Sequence, residues 1–488
     1  MKTSPSLLWF RNDLRLADNP ALSSAIEEGG AVIPVYIWTT QRRAWMPGAA
    51  SRWWLRESLG TLSAGLGQFG SRLVLRKGNP ARVIEELVRE TGAESVHFNR
   101  RYDPEGKNED IVVEERLRRI GARVHSHNAS LLFEPETLRT KQGRPYRVFT
   151  AFWNACVARA SRPLPIPTPR NIPAPRSWPS SLRVEDLGLT AEGESSDGLA
   201  VYWRPGSEDA MKVLDAFIAN RIDRYADDRN RPDLMGTSRL SPHLHFGEIS
   251  TRQIWDAVET RRVHGARKAD PDGRSTFMTE VGWREFAHHL LFHFPHTPLE
   301  PLRPEFSKFP WKDDKKLFDV WCRGETGYPL VDAGMRELAT TGWMHNRVRM
   351  VTASFLVKHL LIPWQRGAAW FWEKLVDADL ANNTLGWQWT AGCGADAAPF
   401  FRIFNPVSQG ERFDPEGQYV RRWVPELGGL PDKWIHRPWQ TPSGSLKASG
   451  IELGRDYPRP IVDHMAARRR ALKAFDKLKT TRTQNSPA

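Results

Sequence analysis

The sequence predicts an α/β N-terminal domain on a doubly wound parallel sheet, a long Pro-rich linker, and a larger all-α C-terminal domain. Three observations carry this. Short apolar runs alternate with amphipathic stretches from Leu7 to about Asn128. Seven prolines stand between Ser161 and Pro179. From Ser207 onward the apolar residues recur at helical spacing.

The runs at 7–10, 31–38, 72–78, 95–100 and 123–128 read as strands. Between them 51–68, 80–91 and 108–120 carry helical periodicity, with Asn79-Pro80 as an N-cap and first turn. No GxGxxG follows Phe10, so a dehydrogenase-type dinucleotide site is not supported. Proline fixes φ and removes a donor, so 161–179 reads as an extended linker rather than a packed element. The expected domains are 1–130, the linker 131–206, the helical domain 207–479 and a disordered tail 480–488. Within the helical part, 207–225, 249–260, 276–294, 313–323, 331–360 and 366–380 read as helices, the fifth stopping before Pro363. A further basic helix is expected at 464–478, read as a solvated surface.

The chain has 488 residues, 40% of them hydrophobic and 26% charged, which is a globular rather than a disordered balance. A net charge of +13 favours a polyanionic partner, nucleic acid first. Cys156, Cys322 and Cys393 are too few and too scattered for a disulfide framework or a zinc site, which suits a reducing cytoplasm. No run is long enough to span a bilayer. The chain carries 21 tryptophans, an excess that suits a core, a stacking platform for bases or an electron relay.

The chemistry concentrates between Trp343 and Phe413. There Gly342–Arg347 reads GWMHNR, Asp377-Ala378-Asp379 follows, then Gly386–Trp389 as GWQW and Arg402–Phe413 as RIFNPVSQGERF. With TSRLS at Thr237–Ser241 and Trp283-Arg284-Glu285, this combination resembles the photolyase/cryptochrome family of light-driven flavoproteins. Within it the closest pattern is that of bacterial cyclobutane-pyrimidine-dimer DNA photolyases of class I or class III type. The similarity runs from Leu7 to about Tyr457. The WMHNRVRM block follows the common bacterial pattern, while Ala49–Leu55 and the linker resemble a plant-cryptochrome-related bacterial branch.

The resemblance implies that the N-terminal domain binds a light-harvesting antenna and that the helical domain binds FAD, active as the reduced anion. Asn108 and Glu109 stand where folate-binding members hold a pterin, which puts 5,10-methenyltetrahydrofolate ahead of 8-hydroxy-5-deazaflavin. On their own, TSRLS and Pro242 would read as a helix N-cap. By the resemblance Tyr225, Thr237, Ser238, Arg239, Leu240, Ser241, Phe277, Glu280, Arg284, Asn346, Arg349, Asp377, Ala378, Asp379 and Asn383 line the flavin cavity. Phe277 stands where many members have Trp, which keeps the aromatic wall without its N–H. Asp377 and Asp379 are too far round a helix to share a face and are expected at a helix end, with Arg349 as a partner.

Asn383 matches the position that contacts flavin N5. Photolyases carry an amide there, plant cryptochromes typically Asp and the animal light-sensing type Cys. Trp387, Trp364 and Trp311 match the three-indole chain that reduces photoexcited flavin; Trp370 and Trp372 read as packing. Trp283 and Trp389 match the wedge against a flipped-out dimer, with Glu280, Asn346 and Met350 completing its pocket. Arg229, Arg284, Arg347, Arg402 and Gln409 are the expected grip on the DNA backbone, beside Trp283, Trp389 and Asn346.

The implied activity is light-driven splitting of cyclobutane pyrimidine dimers by one electron given and returned, a carbon–carbon lyase reaction needing no metal and no side-chain nucleophile. UV-damaged DNA is the expected partner. No membrane and no obligate protein partner are expected, so the chain is read as a monomer of the bacterial cytoplasm and nucleoid. A cryptochrome photoreceptor is the first rival, opposed by Asn383, the Trp283/Trp389/Met350 pocket and the short sequence after Lys479. A (6-4) photolyase is the second. Animal-type members carry a His pair where His345-Asn346 stands here, and the iron–sulfur type needs four cysteines where three exist.

Overall fold

The computed structural model describes residues 4–39, 41, 44–159, 164–189, 198–264 and 271–484. Residues 161–163 of the Pro-rich stretch, 190–197 of the expected linker and 485–488 of the expected tail lie outside them.

The N-terminal elements alternate as read. They are β1 (Ser6–Phe10), α1 (Pro20–Glu27), β2 (Val32–Trp38), α2 (Ala49–Gly67), β3 (Val74–Lys77), α3 (Pro80–Thr91), β4 (Ser95–Asn99), α4 (Pro104–Arg119) and β5 (Arg123–His127). All five strands are parallel, in the order β3-β2-β1-β4-β5. Starting in the middle and winding both ways is what strand–helix alternation with right-handed crossovers produces. Helix α1 escaped the periodicity reading, although its start carries a signal: Asn19 accepts from Leu22 N at 3.1 Å and Pro20 opens the helix. The same device starts α3, where Asn79 accepts from Arg82 N at 3.0 Å, and Asp103 does it for α4.

The two faces of β4 differ. Val96 and Phe98 join Trp9, Ile33, Val35, Leu87 and Leu117 in the apolar core under α3 and α4. On the other face Ser95, His97 and Asn99 are buried polar residues. Asn99 Nδ2 there donates to Asp13 Oδ2 and Asn19 Oδ1 at 2.6 and 2.8 Å.

The Pro-rich stretch is not a free linker, and this corrects the sequence reading. Val32 N donates to Pro173 O at 2.7 Å, and Asp18 and Ile166 exchange bonds at 2.7 and 3.1 Å. Leu182 N donates to Leu75 O and Ser181 Oγ accepts from Leu75 N, covering the edge strand β3. Proline removes a donor but leaves its carbonyl, and Ile172, Leu187 and Leu189 bury beside it. Residues 131–206 also contain a helix, α5 (Phe149–Val157).

The remaining helices are α6 (Leu199–Tyr202), α7 (Ser207–Asn220), α8 (Tyr225–Asp228), α9 (Ser241–His245), α10 (Thr251–His264) and α11 (Pro271–His293). Next come α12 (Lys315–Arg323), α13 (Pro329–Thr341), α14 (Asn346–Ser354), α15 (Trp364–Lys374), α16 (Leu380–Ala391) and α17 (Pro406–Phe413). The last are α18 (Gln418–Trp423), α19 (Asp432–Ile435), α20 (Ser443–Ala448) and α21 (His464–Gln484). Residues 480–484, expected in a tail, continue α21. The helix expected over 331–360 is broken at Gly342, whose φ of 65° ends α13. A π-helical turn, Phe355–His359, then carries the chain from α14 toward Pro363. Among the described residues no helix is long and apolar enough to cross a membrane.

The chain divides into two compact units, and the division does not fall at residue 207. The first holds Met1–Asp223, Ser238–Pro295 and Val376–Asp379; the second holds Arg224–Thr237, His296–Leu375 and Leu380–Ala488.

Candidate functional site

In the first unit the segment Ser238–Ser241 leads into α9. Arg239 takes a left-handed φ of 57°, and its guanidinium lies 4.4 Å from the Trp203 ring. Ser238 Oγ accepts from Leu240 N at 3.4 Å, Leu240 is buried, and Ser241 is exposed at the first turn. Thr237, half-buried, is the residue before this segment.

Helix α11 aligns Phe277, Glu280, Trp283, Arg284 and His288. Phe277 is buried with its ring 4.7 Å from that of Phe217, and Glu280 is half-buried. Trp283 is half-buried and backed by Phe149, whose ring is parallel at 3.8 Å. Arg284 is engaged within the fold. Its side chain is only 12% exposed, and Nη1 donates to Ser130 O at 2.9 Å. Neighbouring Glu285 accepts from Leu132 N at 2.8 Å, and burial pushes its pKa up to about 7.

Asp377, Ala378 and Asp379 form the turn before α16, as expected of a helix end, with Asp379 N donating to Asp377 O at 2.7 Å. Two histidines that the sequence reading missed flank Asp379: His288 Nε2 at 3.6 Å and His245 Nδ1 at 3.8 Å. Burial works to raise the Asp379 pKa, yet His288, His245 and Arg284 hold it below the usual carboxylate range. Burial takes His288 down to about 4. The available signal was positional, since His288 lies one turn beyond Arg284 and His245 four residues beyond Ser241.

In the second unit Asn383 is half-buried on α16 and its Nδ2 donates to Ala368 O at 3.0 Å. Trp387 packs against Gly367, where an added Cβ would fall 2.1 Å from the indole, so only glycine fits. Trp364 and Trp387 are buried, while Trp311 is half-buried against Phe309. Trp370 and Trp372 are half-buried too. Between Trp387 and the half-buried Trp389, Gln388 is a structural clamp. It donates to Thr297 O and Glu300 O at 2.6 and 2.8 Å and accepts from Leu302 N.

His345 caps α14, its Nδ1 accepting from Arg347 N at 3.2 Å. Asn346 is exposed at the start of α14, and Met350 is half-buried one turn later. Arg349 Nε donates to Met344 O at 2.7 Å. Tyr225 is buried with the Arg229 guanidinium 5.6 Å from its ring.

The structure gathers three of the five expected DNA-gripping residues into one field. Burial lowers the Arg347 pKa, and the like charges of Arg229, Arg412 and Arg402 lower it further. Arg347 Nη2 donates to Asn230 Oδ1 at 2.5 Å and the guanidinium stacks 4.5 Å from Phe413, while its Nε has no partner. Gln409 Oε1 on α17 is also buried without a partner. Arg412 was missed, although it lies three residues after Gln409 in the same motif. Arg347 and Arg349, in the first turn of α14, oppose the helix dipole. In the first unit Asn108 is exposed and Glu109 half-buried, both on α4.

Residues 6–170 match the DNA photolyase family, and residues 277–477 match the FAD binding domain of DNA photolyase. The chain is 48% identical over 482 residues to the deoxyribodipyrimidine photo-lyase of Agrobacterium fabrum, covering 99% of both. It is 42% identical to cryptochrome-2 of Arabidopsis thaliana, over 97% of this chain and 79% of that one. The crystal structure of a class III photolyase from Agrobacterium tumefaciens superposes with a TM-score of 0.94 at 48% identity, over 98% of each chain. The chain belongs to the photolyase/cryptochrome family.

Proposed function

We propose that this protein is a DNA photolyase that splits cyclobutane pyrimidine dimers in UV-damaged DNA with light and bound FAD. The observation that carries the reading beyond the family is Asn383, an amide held by Ala368, where the photoreceptor types have a carboxylate or a thiol. With Nδ2 engaged, its Oδ1 is the atom left to accept an N–H from the reduced ring.

The residues present fit the cofactor. Thr237, Ser238 and Ser241 hydroxyls with Arg239 suit a diphosphate, and Asp377 and Asp379 suit hydroxyl or N–H donors. Tyr225, Phe277, Glu280, Asn346 and Arg349 complete the proposed lining. The chemistry supplied on binding is light-driven delivery of one electron to the dimer, with its return after the ring opens.

The protein's own part is positioning. Trp283, stiffened by Phe149 behind it, offers a rigid wall to a flipped-out pyrimidine dimer, with Trp389, Met350 and Glu280 as the other proposed contacts. Arg229, Arg347, Arg402 and Gln409 grip backbone phosphates, and Arg412 joins them. The burial gradient from Trp311 to Trp364 and Trp387 suits electron hopping inward.

Asn108 and Glu109 support a folate antenna, 5,10-methenyltetrahydrofolate ahead of 8-hydroxy-5-deazaflavin, which the fluorescence of extracted chromophore distinguishes. The net charge of +13 supports DNA as the partner, and a monomer in the bacterial cytoplasm is the accompanying proposal, checked by size-exclusion chromatography with light scattering.

The test is anaerobically photoreduced protein mixed with an oligothymidine carrying one cyclobutane dimer, split between blue light and dark. Loss of dimers only in the light upholds the reading. No loss, with flavin bound and fully reduced, overturns it. That result would favour the second reading, a blue-light photoreceptor, which the 42% identity to a plant cryptochrome supports.

A further inference from the structure

On the α1 side of the sheet, at residues given no role above, three metal-ligating side chains converge. His97 on β4 and His125 on β5 are register partners, so their imidazoles leave the same face of adjacent strands, ring centroids 4.6 Å apart. Glu28, the residue that closes α1, meets them there. Its Oε1 lies 3.1 Å from His125 Nε2 and 3.5 Å from His97 Nε2, and one ligand atom from each residue falls within 4.8 Å of the others.

Ordinary hydrogen bonding does not account for this cluster. Both ring nitrogens of His97, which is fully buried, lack a hydrogen-bond partner, and so does His125 Nε2 despite its short distance to Glu28. Whichever ring nitrogen of His97 carries the proton, a buried N–H is left unmet, which is costly unless something else satisfies the ring. The separations of 3.1 and 3.5 Å bracket the about 3.3 Å between ligand atoms of a tetrahedral zinc site with bonds of roughly 2.0–2.1 Å.

The outer contacts orient Glu28. Glu28 Oε2 accepts from Ser6 Oγ and Ser95 Oγ at 3.0 and 2.5 Å, which turns Oε1 toward the imidazoles. Arg123 Nη2 sits 3.7 Å from Oε2, so it too approaches the oxygen that faces away from the cluster. The His125 side chain is 37% exposed while its Nε2 is buried against Glu28.

We propose that Glu28, His97 and His125 bind one borderline divalent cation of the zinc class, structural in role, clipping the end of α1 to β4 and the edge strand β5. Two imidazoles and one carboxylate suit zinc better than calcium or magnesium, which prefer all-oxygen sites.

The test uses the full-length flavoprotein, stripped with chelator, then titrated with Zn2+ in competition with a chromophoric chelator. Bound metal is counted by mass spectrometry, and melting is followed with and without Zn2+. We expect one Zn2+ per chain and a higher melting temperature with it. Glu28→Gln and His125→Ala should each weaken binding by more than ~100-fold and abolish the melting shift. His296→Ala, at an exposed position in the other unit, should leave both unchanged. Should His97→Ala fail to fold, the part-exposed His125 and Glu28 variants, checked by circular dichroism, still decide. A wild-type chain that retains no Zn2+, or variants that bind it as the wild type does, overturns the proposal.

Discussion

Two arginine constellations, one buried in the first unit and one half-buried to exposed in the second, are built on opposite principles. In the first unit Arg15 is 1% exposed and donates to Asp18 O, Gly247 O and Ala129 O at 2.7, 2.8 and 2.6 Å. Asp18, fully buried, accepts from Arg252 Nε at 3.0 Å and from Ile166 N at 3.1 Å. Burial lowers the Arg15 pKa to about 10, and Asp18 and Asp13 oppose the fall. In the second unit Arg347 has Arg229, Arg402 and Arg412 around it, and its pKa falls through burial and all three. A balanced constellation is finished by folding. One in which like charges lower one another's pKa gains from an added anion, and that difference marks a candidate binding surface.

The largest expected effect comes from unbalancing the first. Asp18→Asn keeps the shape and the tolerance of a left-handed φ but removes the carboxylate that serves two arginines. A loss of about 3–5 kcal/mol is expected in denaturant unfolding. A change below 1 kcal/mol would end the claim that balance there is structural.

Acid should act on the second constellation next. Burial and the charges of Arg347 and Arg349 hold His345 at about 3, below the ordinary 6.5 of an unfolded chain. The folded state then binds fewer protons between those values. The stability contributed by His345 is complete above pH 6.5 and is lost as pH falls toward 3, at up to about 1.4 kcal/mol per pH unit. Glu285, raised to about 7, acts in the opposite sense, its contribution present below pH 4.5 and lost as pH rises through 7. His345→Asn, which keeps a capping side chain, should flatten the acid limb of stability measured from pH 7 to 4. An unchanged limb would remove His345 from the account.

Completing the arginine field from outside is the third test. Arg347→Ala should weaken binding to dimer-containing duplex by roughly tenfold and reduce the salt slope by about 1, with stability held or raised. Arg412→Gln should give the smallest effect, about a twofold to threefold loss with a slope change in the same direction. Lost stability without lost affinity in the Arg347 variant would make this cluster structural after all.

Much of the frame was legible because it depends on neighbours in the chain. The central strands read directly, since a parallel sheet covered on both faces leaves near-continuous apolar runs such as Val32–Trp38. Gly342 and Asn19-Pro20 carried helix-end signals that periodicity counting passed over. The Pro-rich segment misled because proline content reports lost donors and says nothing of carbonyls such as Pro173 O, which the edge of α/β packing uses. Of the candidate site, Trp283 was readable from its block, but Phe149 behind it is 134 positions away. Arg229, Arg347 and Arg402 were grouped as one grip through the resemblance, and Arg412, in the same motif as Arg402, was passed over.

The sequence by itself determined the alternation of elements, the helix start at Asn79, the basic balance and the motif residues from Trp343 to Phe413. Only the tertiary structure decided which buried charges are neutralised. Local structure follows from bonds and sterics within a few residues, whereas Coulomb energy follows distance in space. Arg15 and Gly247 stand 232 positions apart and meet at 2.8 Å, while Arg347 is left among its own kind.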